Sequence, residues 1–136
     1  MGTKFKLLLI LLIIMINQNI FANTKVLITS DDKMNTYVLK DTIKQVKPNI
    51  KRYWNQTRYI KDIELEGNIV YRKGQYKKEL YESDCKQETY KNLVRIVYNE
   101  DDTVEESLTR SEKEIKTKYI VPGSNGQKIQ EYVCKN

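Results

Sequence analysis

The sequence predicts an α+β domain, in which an antiparallel sheet of five or six strands carries one C-terminal helix. Ten tyrosines, together with many Val, Ile and Thr residues, favour strands over helices. Short runs with period-two alternation are separated by turn-forming residues, as in antiparallel sheets. Apolar residues at helical spacing are clearest near the C-terminus. These observations together predict a sheet with one helix packed on it.

The strand predictions rest on β-rich runs that end at turn-forming residues. The first run ends at Ser30-Asp31-Asp32, and Pro48 breaks the chain before a longer strand. A turn at Gly67-Asn68 predicts a small hairpin within residues 62–74. The clearest alternation in the chain lies in residues 90–98. The predicted strands are residues 25–29, 36–39, 50–60, 76–85, 90–98 and 103–109.

The strand predicted at residues 50–60 is rich in aromatic and cationic side chains. Tyr53, Trp54, Arg58 and Tyr59 form a candidate binding strip that can stack on sugars or grip a peptide. The alternative is an ordinary core strand with one solvated face. The alternation does not decide which face of this strand is buried.

The C-terminal segment predicts a short helix that follows the turn at Pro122-Gly123. Ser124 or Asn125 can cap its first turn. Its apolar stripe is directly followed by Cys134, which suits a helix that lies on the sheet and is pinned there covalently. The charged residues 110–118 before it are predicted to be an exposed loop, with binding to polyanionic glycans as the alternative. The stripe consists of Ile129, Tyr132 and Val133, at helical spacing.

The N-terminus predicts a cleavable signal peptide in residues 1–22. Lys4 and Lys6 precede an apolar run of residues 7–16, and Ala22 provides the small residue at the cut. Ten helical residues span about 15 Å, roughly half of a bilayer core, so a permanent membrane anchor is the weaker interpretation. We therefore expect a single mature domain of residues 23–136, periplasmic or secreted.

The two cysteines, Cys85 and Cys134, are the only ones in the chain. In an exported protein they most simply form one disulfide. A redox-active pair is the alternative, but such pairs normally sit close together as C-x-x-C. A disulfide that closes a loop of this length stabilises a fold by about 4 kcal/mol in the chain-entropy model.

The residue content argues against several functional classes. The chain has no histidine, which removes the commonest general base and metal ligand. Phosphate-binding loops, dinucleotide-binding glycines, nucleophile elbows and zinc spacings are all missing from the sequence. We predict no catalytic residues, no metal and no cofactor. The formal charge of +6 is moderate, and acidic residues are interspersed, so no nucleic-acid partner is expected.

Several short segments occur in a characteristic order along the mature chain. They lie in residues 37–43, 50–54, 81–85, 119–124 and 129–134, and they include Asp84-Cys85, Pro122-Gly123-Ser124 and Val133-Cys134. In this order the chain resembles the surface-adhesin protein E family of small exported bacterial domains. The resemblance implies a curved antiparallel sheet, with the C-terminal helix tethered across it by a Cys85–Cys134 disulfide.

The leading hypothesis for function is a non-enzymatic exported binding module. The resemblance implies adhesion-like contact with host or envelope proteins, so a protein partner is expected, and a homodimer remains open. The alternative is a periplasmic inhibitor or immunity protein that blocks a toxin or lytic enzyme. Such an inhibitor would insert a loop, for which residues 110–118 are the candidate.

Overall fold

The computed structural model describes residues 24–136, which form an eight-stranded sheet, a separate two-stranded sheet and one α-helix. The predicted signal peptide, residues 1–22, lies outside the described residues. The elements are β1 (Lys25–Ser30), β2 (Met34–Leu39), β3 (Lys44–Lys47), β4 (Ile50–Tyr59), β5 (Ile63–Leu65), β6 (Asn68–Tyr71), β7 (Tyr76–Asp84), β8 (Thr89–Tyr98), β9 (Val104–Thr109), β10 (Lys118–Tyr119) and α1 (Asn125–Lys135).

The large sheet is antiparallel throughout and follows the order β1-β2-β4-β7-β8-β10. In addition, β3 pairs with β4, and β9 pairs with β8. The predicted α+β class is confirmed. Two of the eight strands, β3 and β10, were not predicted, because runs of four and two residues are too short for an alternation to register.

The hairpin predicted within residues 62–74 is present as β5 and β6. Its turn lies one residue earlier than predicted, since Glu66 and Gly67 are the two residues with positive φ, at 51° and 79°. This is the conformation that two-residue hairpin turns require. The ring of Tyr71 stacks on that of Tyr59 with their centroids 4.3 Å apart, so the hairpin packs onto the end of β4.

One face of the sheet, which we call the helix-bearing face, carries the hydrophobic core. Val38 and Tyr53 form this core together with Ile129 and Val133 of α1. Alternation places every second residue of β4 on this face, and all of them from Tyr53 onward are buried. The sequence did not decide which face of β4 faces the core. In the structure it is the face that carries Tyr53, Asn55, Thr57 and Tyr59.

The helix is fixed to the sheet by polar and covalent contacts as well as by its apolar stripe. The side-chain nitrogen of Gln130, Nε2, donates to the main-chain carbonyls of Asp84 and Thr89, at 3.0 and 3.3 Å. The Cys85–Cys134 disulfide is formed, with the two Cα atoms 5.8 Å apart. The predicted tether of the helix is confirmed.

Ser124 is the residue that caps α1. Its Oγ accepts a hydrogen bond of 3.2 Å from the main-chain nitrogen of Gln127. We expect Ser124→Ala to lower the free energy of unfolding by about 1 kcal/mol, because that nitrogen then loses its side-chain acceptor and keeps only the Ser124 carbonyl, at 3.2 Å. Urea unfolding measures the effect, with Ser107→Ala on exposed β9 as the control. Equal stabilities of the two variants would contradict the cap.

Candidate functional site

The structure does not bring the four residues of the predicted binding strip onto one surface. Tyr53 and Tyr59 are each only 3% exposed and lie on the helix-bearing face, whereas Trp54 and Arg58 are half-buried on the opposite face. The guanidinium of Arg58 lies over the ring of Tyr76, 4.8 Å from its centroid. Contact of Trp54 and Arg58 with a partner stays a prediction.

Tyr53 is a buried residue of the hydrophobic core and is not accessible to a partner. Its hydroxyl shares a 3.0 Å hydrogen bond with the hydroxyl of Ser83. Burial raises the pKa of Tyr53 to about 12, although the bond to Ser83 opposes that shift. At neutral pH this tyrosine is therefore an uncharged core residue that packs beneath α1.

A pocket of about 480 Å³ opens between strands β7 and β8, on the helix-bearing face, and the segment that follows β9. We call it the basic pocket. Strands β7 and β8 provide its floor, and residues 110–118 provide its wall. Its lining consists of Tyr81, Tyr90, Asn92, Arg95, Arg110, Lys113, Glu114, Lys116 and Lys118.

Beneath the pocket lies a buried carboxylate, Glu79, which is only 3% exposed. Its Oε1 accepts from Arg95 Nε at 2.9 Å and from Asn92 Nδ2 at 3.3 Å. Its Oε2 accepts from the Tyr81 hydroxyl at 3.0 Å and pairs with Lys77 Nζ at 3.2 Å. Both oxygens are thus fully engaged, and the carboxylate fixes the side chains around it.

The electrostatic environment keeps Glu79 ionised. Burial raises the pKa of its carboxyl, but the charge of Lys77 and the hydrogen bond and charge of Arg95 outweigh that effect, so the pKa lies below its ordinary value. Burial and the charge of Glu79 raise the pKa of Tyr81. Tyr81 is therefore a neutral hydrogen-bond donor at physiological pH.

The wall of the basic pocket is held in place at its base. The Nε of Arg110 donates to Asn92 Oδ1 at 3.2 Å, and its main-chain nitrogen donates to the Leu93 carbonyl at 3.0 Å. Farther along, the main-chain nitrogen and hydroxyl of Ser111 both donate to Glu114 Oε2 at 2.8 Å. These bonds lower the pKa of Glu114. The predicted charged loop thus contains an internally bonded turn.

The pocket concentrates positive charge. Its lining has five cationic side chains and one anionic one, an excess of four. The whole chain has an excess of six positive charges. Two of its basic residues, Lys4 and Lys6, precede the described part. The excess over residues 24–136 is therefore also four, so the described residues outside the pocket lining balance to zero.

Sequence reasoning identified only part of this site. The sequence gives the charged run 110–118 as a candidate for polyanion binding, and these residues form the wall. The sequence did not identify the strand residues of the lining, since only the pairing register brings them beside that wall; they are Tyr81, Tyr90, Asn92 and Arg95. Within residues 24–136 no group of carboxylate, cysteine or histidine side chains could hold a metal ion. No helix in the same range has the length and apolar character to cross a membrane.

Comparison with known proteins places the chain in a family. No match was found among the curated proteins. The family model described as surface-adhesin protein E matches residues 24–135, which is nearly the whole of the described chain. The antiparallel sheet and tethered C-terminal helix of the chain agree with the resemblance drawn from the sequence. A family of surface adhesins implies an exported or surface-located protein. The chain belongs to the surface-adhesin protein E family.

Proposed function

We propose that this chain is a non-enzymatic exported binding module that makes adhesion-like contact with another protein, either in the cell envelope or on a host. Membership of the surface-adhesin protein E family supports the adhesion-like mode. The observation that carries the proposal is the basic pocket. It gathers tyrosine, asparagine and cationic side chains in one concave site, which is the type of lining that fixes and orients a ligand.

The chemistry of the basic pocket favours binding over catalysis. Glu79, the buried carboxylate beneath the pocket, has both oxygens engaged and a lowered pKa, so it is a poor proton acceptor at neutral pH. The hydroxyl of Tyr81 has a raised pKa and donates to Glu79. Glu79 positions Arg95 directly, and it positions Arg110 through Asn92.

The shape of residues 110–118 bears on the alternative of an inhibitor that inserts a loop into an enzyme. Ile115 of this segment is half-buried, and the turn is closed by the bonds between Ser111 and Glu114. The segment forms the wall of a cavity. This arrangement supports a surface that receives part of a partner, and it gives the inhibitor hypothesis no specific support.

Capture of a partner by the mature protein tests the proposal. Immobilised protein is exposed to cell-envelope and host-matrix extracts, beside the double variant Lys113→Glu/Lys116→Glu. We expect one or more proteins to be retained by the native chain and lost from the variant, because reversing two charges of the pocket repels an anionic surface.

A matched control keeps the change in net charge but moves it away from the pocket. Lys44→Glu/Lys47→Glu alters two exposed lysines of β3 and should retain the same proteins as the native chain. The proposal is wrong if the native chain retains nothing above an unrelated protein of similar charge. It is also wrong if the pocket variant retains the same proteins equally well.

A further inference from the structure

The two arginines of the basic pocket are each held by a hydrogen bond from the Nε atom. Arg95 donates from its Nε to Glu79, and Arg110 donates from its Nε to Asn92. Across residues 24–136, neither guanidinium uses its terminal Nη nitrogens in a hydrogen bond to another described residue. Each guanidinium is thus oriented by the protein while the donors at its end stay available to a ligand.

A single asparagine links the two arginines. Asn92 donates from Nδ2 to Glu79, which holds Arg95, and accepts at Oδ1 from Arg110. Its amide therefore connects both guanidinium groups to one buried carboxylate. Ligand donors that are oriented in advance lose little conformational entropy on binding. The network therefore preorganises the two guanidinium groups to bind an anion.

The geometry of the donors indicates which anion they suit. A guanidinium presents its nitrogens as a planar fork, which matches the two oxygens of a carboxylate. Arg95 contacts the carboxylate of Glu79 through its Nε alone, so the two nitrogens at its end are left for a second carboxylate. Tyr90 and the lysines of the wall add further hydrogen-bond donors to the lining of the pocket. A carboxylate-bearing ligand is the closest chemical match.

The distribution of charge indicates how long the ligand is. A long polyanion such as a sulfated polysaccharide needs a track of cations that continues beyond one cavity. The described residues outside the pocket lining carry equal numbers of positive and negative charges, so the lining accounts for the whole net positive charge of the described residues. A volume of about 480 Å³ admits a few side chains of a peptide. A short acidic segment fits both observations.

We propose that the basic pocket binds the carboxylates of a short acidic segment of a partner protein. Arg95 and Arg110 hold the carboxylates, and Lys113, Lys116 and Lys118 attract the segment electrostatically. This inference rests on the proposed function, since it specifies which part of the partner the module recognises. Binding should weaken as salt is raised, because the wall lysines are exposed.

Fluorescence anisotropy with labelled hexaglutamate tests this inference, with hexaglutamine and a sulfated hexasaccharide as comparison probes. We expect the mature protein to bind hexaglutamate, to ignore hexaglutamine, and to bind the saccharide more weakly. Removing the charged donors in Arg110→Ala should weaken hexaglutamate binding about tenfold or more. Lys128→Ala removes an exposed charge of α1 outside the pocket and should leave the affinity unchanged.

Two further variants separate charge from geometry. Arg110→Lys retains the positive charge but has no planar fork and no Nε to donate to Asn92, so it should restore little of the lost affinity. Lys113→Ala/Lys116→Ala changes only exposed residues of the wall, and it should lower both the affinity and its salt dependence. Circular dichroism checks that each variant is folded.

The outcomes that overturn the inference are distinct from those that overturn the proposed function. Failure of the native protein to bind hexaglutamate at low salt, or equal binding by Arg110→Ala, rules out the acidic segment. Tighter binding of the saccharide would assign the pocket to a glycan instead. A captured partner that is lost from Lys113→Glu/Lys116→Glu, yet is not displaced by hexaglutamate, would uphold the proposed function and contradict this inference.

Discussion

Cys134→Ser is expected to lower the free energy of unfolding by about 4 kcal/mol. The disulfide joins residues 49 positions apart, so its loss greatly increases the conformational freedom of the unfolded chain. It also frees the end of α1, where Val133 is fully buried against the core. Domains of this size are typically stable by only about 5–15 kcal/mol.

Urea unfolding of residues 23–136 measures this change as a lower midpoint. The double variant Cys85→Ser/Cys134→Ser and the reduced native protein should have the same urea midpoint as Cys134→Ser, because all three lack the same cross-link. Lys135→Ser, an exposed neighbour in α1, is the matched control and should stay close to the native midpoint. A midpoint for Cys134→Ser that equals the control would show that the disulfide contributes nothing.

Glu79→Gln is expected to lower the free energy of unfolding by about 2–3 kcal/mol at neutral pH. The substitution keeps the shape of the side chain but removes the charge that offsets Lys77 and Arg95. A glutamine amide also places a donor where an acceptor is needed. The side chains of Lys77 and Arg95 are 19% and 31% exposed, so water compensates part of the loss and the effect is smaller than for a fully buried pair.

The same carboxylate gives the effect a defined dependence on pH. Because the native pKa of Glu79 is lowered, its contribution to stability is present above the ordinary value of 4.5 and is lost as the pH falls through the lower native value. The difference between native and Glu79→Gln proteins should therefore shrink in acid. Urea unfolding at several pH values measures this, with Glu106→Gln on exposed β9 as the control. A difference that is constant with pH would contradict the assignment.

Much of the fold could be predicted because its long elements have strong local patterns. The alternation of residues 90–98 and the cap and apolar stripe of α1 correspond to elements of the structure. The short strands β3 and β10 could not be found in this way. They exist because neighbouring long strands, β4 and β8, offer hydrogen-bonding edges, which is a property of the assembled sheet.

The site was harder to predict because it depends on register. Tyr81 pairs with Asn92 only through an irregularity after Leu80, where the alignment of β7 with β8 shifts by one residue. That shift decides which side chains of β8 reach the basic pocket. The predicted strip had a different weakness. Tyr53 and Trp54 are adjacent in a strand, and adjacent residues point to opposite faces of a sheet.

Strands β9 and β10 both pair with β8, so both ends of segment 110–117 are attached to a single strand. The segment can therefore gain, lose or exchange residues without changing how any two long strands are paired. Lengthening such a closed loop costs little, since the entropy of closure rises only slowly with length. Recognition and scaffold stability are thus separable in this architecture. Relatives with the same sheet can differ in the partners they select, through changes confined to one stretch of chain.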